Sequence, residues 1–234
     1  MAVCRQSPLA ASCHQERTQA MITLYYLPGT CSLAEHIVLE WLGLDYESHK
    51  MSRAELKSAE YLRLNPSGTV PTVMIEDRVY TENAAIMLYL ARQHPQLWGQ
   101  SLDEEARATQ TRWLAFLTGT LHPHFWPFFN PGRFSTHADE AALSAVKAAA
   151  MANVARDFEI LEAYLHNHSF LGGETPSMVD AMAFPMLLWG YKLSKPTSEY
   201  PHLEALFRHM LENPGVQRAV EIHGIQIPES QAAD

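Results

Sequence analysis

Apolar positions along this chain fall into two regimes. Up to about residue 93 they form short runs broken by turn residues, and from about residue 103 they recur at helical spacing. Residues 22–27 are β-branched, aromatic and apolar, the composition of a buried strand. Pro28-Gly29 stops that strand. Ser32, with Glu35 three residues on, has capping-box spacing and predicts a helix over 32–42, with Gly43 as its natural stop. Residues 44–49 read as a second strand and 55–61 as a second, weaker helix, followed by the loop Asn65-Pro66-Ser67-Gly68. Residues 70–75 read as a strand entered through Pro71, where the missing N–H is tolerated. Glu76-Asp77 then turns the chain into 78–80 as a hairpin. Residues 82–92 carry Ala85, Ile86, Leu88, Tyr89 and Leu90, a helix with a broad buried face.

After a Pro- and Gly-containing linker the pattern is helical. Residues 103–121 open on acidic side chains and run through Trp113, Phe116 and Leu117. The proline-bearing segment 122–129 is expected to interrupt this helix, and Asn130-Pro131-Gly132 to end it. Residues 138–166 place Leu143, Val146, Ala150, Val154, Phe158, Leu161 and Leu165 on one stripe. Gly172-Gly173 breaks that pattern. Ser177 and Asp180 form a second capping signature before a segment so apolar, up to Trp189, that it should lie in the middle of its domain. A last helix is expected over 203–211, followed by a polar tail without assignment. The order is β-α-β-α-β-β-α followed by helices, an α/β unit and an all-α unit. The boundaries read as 21–93 for the first domain, 94–102 for the linker, 103–227 for the helical domain and 228–234 for the tail.

Composition narrows the function. The 234 residues are 47% hydrophobic and 18% charged, with a net charge of −9, which argues against a nucleic-acid surface and against attraction to anionic membranes. No apolar run approaches the length of a membrane span. Three cysteines, Cys4, Cys13 and Cys31, are too few for a disulfide framework and suit a reducing cytosol. Residues 1–20 lack the apolar region of a signal peptide and read as a disordered extension or an upstream start-site artefact.

Cys31 is the foremost candidate for chemistry. It stands just off a predicted helix N-terminus, where free N–H groups favour an anion, so its thiol is expected to have a lowered pKa. A lone cysteine is equally the composition of a small buried hydrophobe. Pro28 and Ala34, three residues to either side, exclude a dithiol pair. His122 is suited by type to proton transfer near pH 7. His122 and His124 have no carboxylate or cysteine at metal-ligand spacing, so no metal is expected. Tyr25 and Tyr26 offer hydroxyls but more commonly pack.

Three segments, Tyr25-Tyr26-Leu27-Pro28-Gly29-Thr30-Cys31-Ser32, Gly68-Thr69-Val70-Pro71 and Thr81-Glu82-Asn83-Ala84-Ala85-Ile86, together resemble the N-terminal domain of a glutathione S-transferase, most nearly the bacterial beta class. The similarity runs from 22 to about 219. It implies a thioredoxin-like domain followed by a helical bundle, glutathione as co-substrate, and a cytoplasmic homodimer that conjugates glutathione to apolar electrophiles, as in detoxification. It also implies roles for residues. Cys31 would face the glutathione sulfur and could form a mixed disulfide with it. Val70 would pair its backbone with the cysteinyl part of the ligand, next to a cis Pro71. Glu82 and Asn83 would receive the γ-glutamyl end, and His122 would approach the sulfur. Phe125 and Trp126 are candidates to line an electrophile pocket. Pro123, Ala115 and Asn83 depart from the family pattern. Another glutathione-dependent reaction (peroxide reduction, dehalogenation, isomerisation) and a non-catalytic interaction protein of the same fold are the alternatives.

Overall fold

The computed structural model describes residues 21–99 and 103–229; the expectation for residues 1–20, with Cys4 and Cys13, lies outside the described residues, as does the end of the tail. The α/β part runs β1 (Ile22–Tyr26), α1 (Leu33–Leu42), β2 (Tyr46–Lys50), α2 (Ala59–Leu64), β3 (Thr72–Ile75), β4 (Arg78–Thr81) and α3 (Asn83–Gln93). The strands form one sheet in the order β2-β1-β3-β4, with β1 parallel to β2 and antiparallel to β3. The helical connection α1 allows the parallel pair, whereas the two-residue turn at Glu76-Asp77 makes β3 and β4 a hairpin. Alternation along β1 sends Ile22, Leu24 and Tyr26 into the main core, and Tyr25 against a second cluster of Met51, Leu56 and Tyr61. This is the thioredoxin-like layout.

The helical part comprises α4 (Glu104–Phe116), α5 (His122–Phe129), α6 (Glu140–Leu165), α7 (Met178–Gly190), α8 (Pro201–Glu212) and α9 (Pro214–His223). Contrary to expectation, segment 122–129 does not interrupt the helix. A π-helical turn, Leu117–Leu121, carries α4 directly into α5. Pro123 has no N–H to give back to the preceding turn, and the widening of the ladder falls just ahead of it. Helix α9 lies in the stretch that had no assignment. On α6, Val154, Phe158, Leu161 and Leu165 of the predicted stripe are buried, and Leu143 and Val146 are half-buried. Helix α7 is buried along its whole length, as its composition implied.

Helix α1 packs against both α7 and α9, so one continuous core runs from Leu24 and Ile37 to Phe184 and Met186. The turn between β1 and α1, which carries Cys31, therefore lies where the sheet meets the helical part. No helix among the described residues is long and apolar enough to cross a membrane.

Candidate functional site

Cys31 occupies a tight turn closed by bonds from Leu33 N–H to the Thr30 carbonyl (3.1 Å) and from Ala34 N–H to the Cys31 carbonyl (3.0 Å). The residue is 5% exposed, and its thiol donates to the Val70 carbonyl at 3.6 Å. The lowered thiol pKa expected from its position is not what the surroundings produce. Burial pushes the thiol up and the Glu35 carboxylate adds to the rise, while the Asn83 amide and the N–H groups of Cys31 and Ser32 oppose it. The helix N-terminus acts in the expected direction and is outweighed.

The capping box expected at Ser32 and Glu35 is also absent. Ser32 has helical dihedrals and makes no side-chain cap; its hydroxyl lies 2.8 Å from that of Thr30. Glu35 turns inward, fully buried, and both its oxygens accept from Asn83 Nδ2, at 3.0 and 3.1 Å. Burial raises its carboxyl from the usual 4.5 to about 8, so it is mainly protonated at neutral pH. Asn83 is thereby a support for the sulfur turn, its Nδ2 also lying 3.5 Å from the Cys31 carbonyl.

The Val70–Pro71 peptide is cis and lies directly before β3, and the Val70 carbonyl accepts from the thiol. Glu82, exposed, takes φ 69° immediately ahead of α3, a left-handed conformation uncommon for a residue with a side chain. Thus Cys31, the Val70 carbonyl and the start of α3 meet on one rim of the fold.

His122 lies in the first turn of α5, edge-on to Trp126 and tilted against Trp189, with ring centroids 5.6 and 5.3 Å away. Among the described residues its ring makes no hydrogen bond. Burial pushes its pKa down to about 4, so the imidazole is neutral near pH 7 and does not titrate there, contrary to what its residue type had suggested. Phe125 is not a pocket residue: it is fully buried among Phe129, Phe158 and Trp189. Trp126 is 48% exposed. Beside the turn lies a cavity of about 900 Å³, bounded by Gly29, Trp189, Tyr191, Lys192, Ile225 and Pro228. Tyr26 packs on two histidines and its hydroxyl reaches the Ile222 carbonyl at 3.5 Å, away from the sulfur.

Sequence reasoning missed the polar contacts beneath the turn. The Trp189 indole N–H donates to the Gly29 carbonyl (2.9 Å), and the Gly29 N–H donates to His223 Nδ1 (3.2 Å). His223 Nε2 lies 2.8 Å from His36 Nδ1, and His36 Nε2 lies 2.7 Å from the Ser48 hydroxyl. The available signal was His36 itself, a polar residue among Ile37, Val38 and Leu39 that required a buried partner. No group of three or more His, Cys, Asp or Glu side chains among the described residues could hold a metal ion.

Residues 30–93 match the glutathione S-transferase N-terminal domain family and residues 113–214 the C-terminal domain family. Glutathione S-transferase GST-4.5 of Xanthomonas campestris pv. campestris is 37% identical over 204 residues, covering 86% of this chain and 98% of that protein. The solved glutathione S-transferase of Xylella fastidiosa superposes with a TM-score of 0.80 at 33% identity, covering 88% of this chain and all of that one. A sphingomonad glutathione S-transferase solved in complex with glutathione gives a TM-score of 0.74 at 30% identity, covering 87% and 100% of the two chains. With both domain families matched in order, and a relative this similar along nearly its whole length, the chain belongs to the glutathione S-transferase family.

Proposed function

We propose that this protein is a glutathione transferase of beta-class type, a cytosolic homodimer that presents glutathione beside Cys31 to an apolar electrophile. The observation that carries this reading is the buried Cys31 thiol donating to the Val70 carbonyl, next to the cis Val70–Pro71 bond. A glutathione backbone laid along Val70 would bring its own N–H to that carbonyl. The Cys31 S–H is then released to donate to the glutathione sulfur, together with the backbone N–H groups of Cys31 and Ser32. Donors aimed at sulfur favour its anionic form, and the thiolate is the nucleophile. The thiol proton passes to water, and the thiolate forms the C–S bond as the leaving group departs with its electron pair, or adds to an activated double bond whose displaced electron pair then takes a proton from water.

Glu82, at the start of α3, takes the γ-glutamyl ammonium, and the N–H groups at that helix start take its carboxylate. Asn83 contributes its backbone, because its side chain is engaged with Glu35. His122, neutral, contributes a hydrogen bond at the cleft. We assign the electrophile to the cavity beside Gly29, whose volume of about 900 Å³ lies within the range of small-molecule sites. Thiol–disulfide exchange through Cys31 is the less supported output, because a thiol pushed up by burial holds little thiolate for attack.

The test is a calorimetric titration of glutathione into the wild type and Cys31→Ala, with the thiolate absorbance of bound glutathione followed against pH. The wild type should lower the thiol pKa of bound glutathione by about two units, worth about 3 kcal/mol, and the variant should lose most of that shift while still binding. Absence of binding at millimolar glutathione would overturn the reading, and a retained shift in the variant would remove Cys31 from it.

A further inference from the structure

Both polar backbone groups of Gly29, two residues ahead of Cys31, are held by the helical domain. Its carbonyl accepts from Trp189 on α7 and its N–H donates to His223 on α9, a residue 194 positions further along the chain. Gly29 sits at φ 71°, the left-handed region, exposed at the tip of a turn whose other bonds, from the Thr30 N–H and hydroxyl to the Leu27 carbonyl, bypass Gly29 itself. Hydrogen-bond roles along the histidine chain follow without ambiguity. The Gly29 amide can only donate, so His223 Nδ1 accepts and its proton resides on Nε2. His223 Nε2–H then donates to His36 Nδ1, which leaves His36 Nε2–H to donate to the Ser48 hydroxyl. Every ring nitrogen of the pair is used once, and both rings are neutral. Burial supports this by pushing His36 down to about 4 and His223 to about 3. Glu40, whose charge acts on His36, is taken by the Tyr46 hydroxyl and by Arg218, both at 2.6 Å.

We propose that His223 is a positioning residue for the Cys31 centre, its Nδ1 acceptor fixing the turn at Gly29 and hence the placement of the thiol, with His36 and Ser48 fixing the tautomer that makes it an acceptor. It acts through the turn and touches neither substrate nor sulfur. The inference rests on the reading of Cys31 as the partner of the glutathione sulfur.

Two substitutions separate the two arms of the ring. In His223→Asn the amide oxygen can stand near the Nδ1 position, keeping the acceptor for Gly29 and losing the bond to His36. In His223→Gln the amide stands near the Nε2 position, keeping the bond to His36 and losing the acceptor for Gly29. Thermal stability, kcat and KM for glutathione, and the rate of Cys31 alkylation by iodoacetamide, read on the Cys31 peptide by mass spectrometry, are measured for each. His223→Gln should lose about tenfold in kcat/KM, the effect of one hydrogen bond that orders a reacting group, and alkylate about tenfold faster. His223→Asn should stay within about twofold of wild type on both readouts, although its thermal stability falls. An activity loss that follows stability, with His223→Asn the more impaired, overturns the proposal. If neither variant folds, 15N NMR of wild-type histidines decides: a His223 protonated at Nδ1, or charged at neutral pH, overturns it, and a neutral ring protonated at Nε2 supports it. A wild type that does not bind glutathione defeats the transferase reading alone, because the alkylation order tests the positioning without glutathione.

Discussion

Replacing Glu35 by glutamine removes a titratable group from the middle of the protein while keeping its shape and an oxygen to accept from Asn83. In the wild type the carboxyl titrates at about 8 instead of the usual 4.5. Between those values the folded protein holds a proton that the unfolded chain has released. Stability is therefore greatest below the unfolded value and falls as pH rises through the window. At about 1.4 kcal/mol per pKa unit the whole span reaches roughly 5 kcal/mol, with about 2 kcal/mol of it between about pH 6.5 and about pH 8.5. Cys31, pushed up by burial, acts at higher pH and in both proteins alike, and the buried histidines and Asp180 act lower. His36 and His223 have depressed values, so they reduce stability only as pH falls below the usual histidine value of 6.5. Asp180, raised to about 6, completes its contribution near there. Urea denaturation of wild type and Glu35→Gln across that range, compared as a difference, isolates the one group. The wild type should lose about 2 kcal/mol more than the variant from the lower to the higher pH. Cys31 alkylation in the variant should rise at a lower pH, because a carboxylate charge no longer opposes the thiolate. Parallel stability slopes in the two proteins would refute the assignment of a protonated, buried Glu35.

Gly190, at the end of α7, is pressed against Thr197 Oγ1 and Phe158, and an added Cβ would lie 2.6 Å from the phenyl ring. Gly190→Ala should lower unfolding free energy by about 2 kcal/mol, overpacking and disturbance of the bond from Thr197 to the Leu187 carbonyl exceeding the gain in helix propensity; chemical denaturation measures it, and an unchanged midpoint would contradict the close approach. Ser177→Ala removes the α7 N-cap, which accepts from Val179 N–H and donates to the buried Asp180 carboxylate, and should cost about 2 kcal/mol with full activity retained in the protein that remains folded. Calorimetric unfolding checks this loss, and a loss below about 0.5 kcal/mol would show that the cap is replaced by water.

The same spacing of serine and acid occurs at Ser32–Glu35 and at Ser177–Asp180, and only the second forms a capping box. The difference is conformational. Ser177 has extended dihedrals, φ −134° and ψ 177°, from which its hydroxyl and the Asp180 carboxylate close reciprocally on the helix start. Ser32 has φ −61° and ψ −9° because the chain has already entered a tight turn at Thr30 and Cys31. Its side chain cannot reach forward, and Glu35 is left to enter the core. Local spacing does not contain that information. Helix α9, by contrast, went unassigned although its signals are local: Asn213-Pro214 is a start signal, Gly224 a stop, and Val216, Ala219, Val220 and His223 share one face. Phe125 shows a different limit, since an aromatic side chain on an apolar face reads the same whether it fills a core or lines a cavity.

The three segments that carried the family resemblance all lie in the first 86 residues, and they brought together the thiol, the cis proline and the start of α3. They contain part of what holds the turn, Thr30, Ser32 and Asn83, but not what holds Gly29 at its tip. Gly29 is fixed by Trp189 and His223, 160 and 194 residues away, through bonds that no periodicity or spacing encodes. Those bonds end on a glycine, which contributes no side chain to signal its partners. The helical domain is thus more than a cover for the cleft. Because α1 is buried between the sheet and helices α7 and α9, a change in α9 reaches the sulfur centre through one imidazole ring. Variation in glutathione reactivity should therefore arise from substitutions in the C-terminal helix as readily as from those beside Cys31.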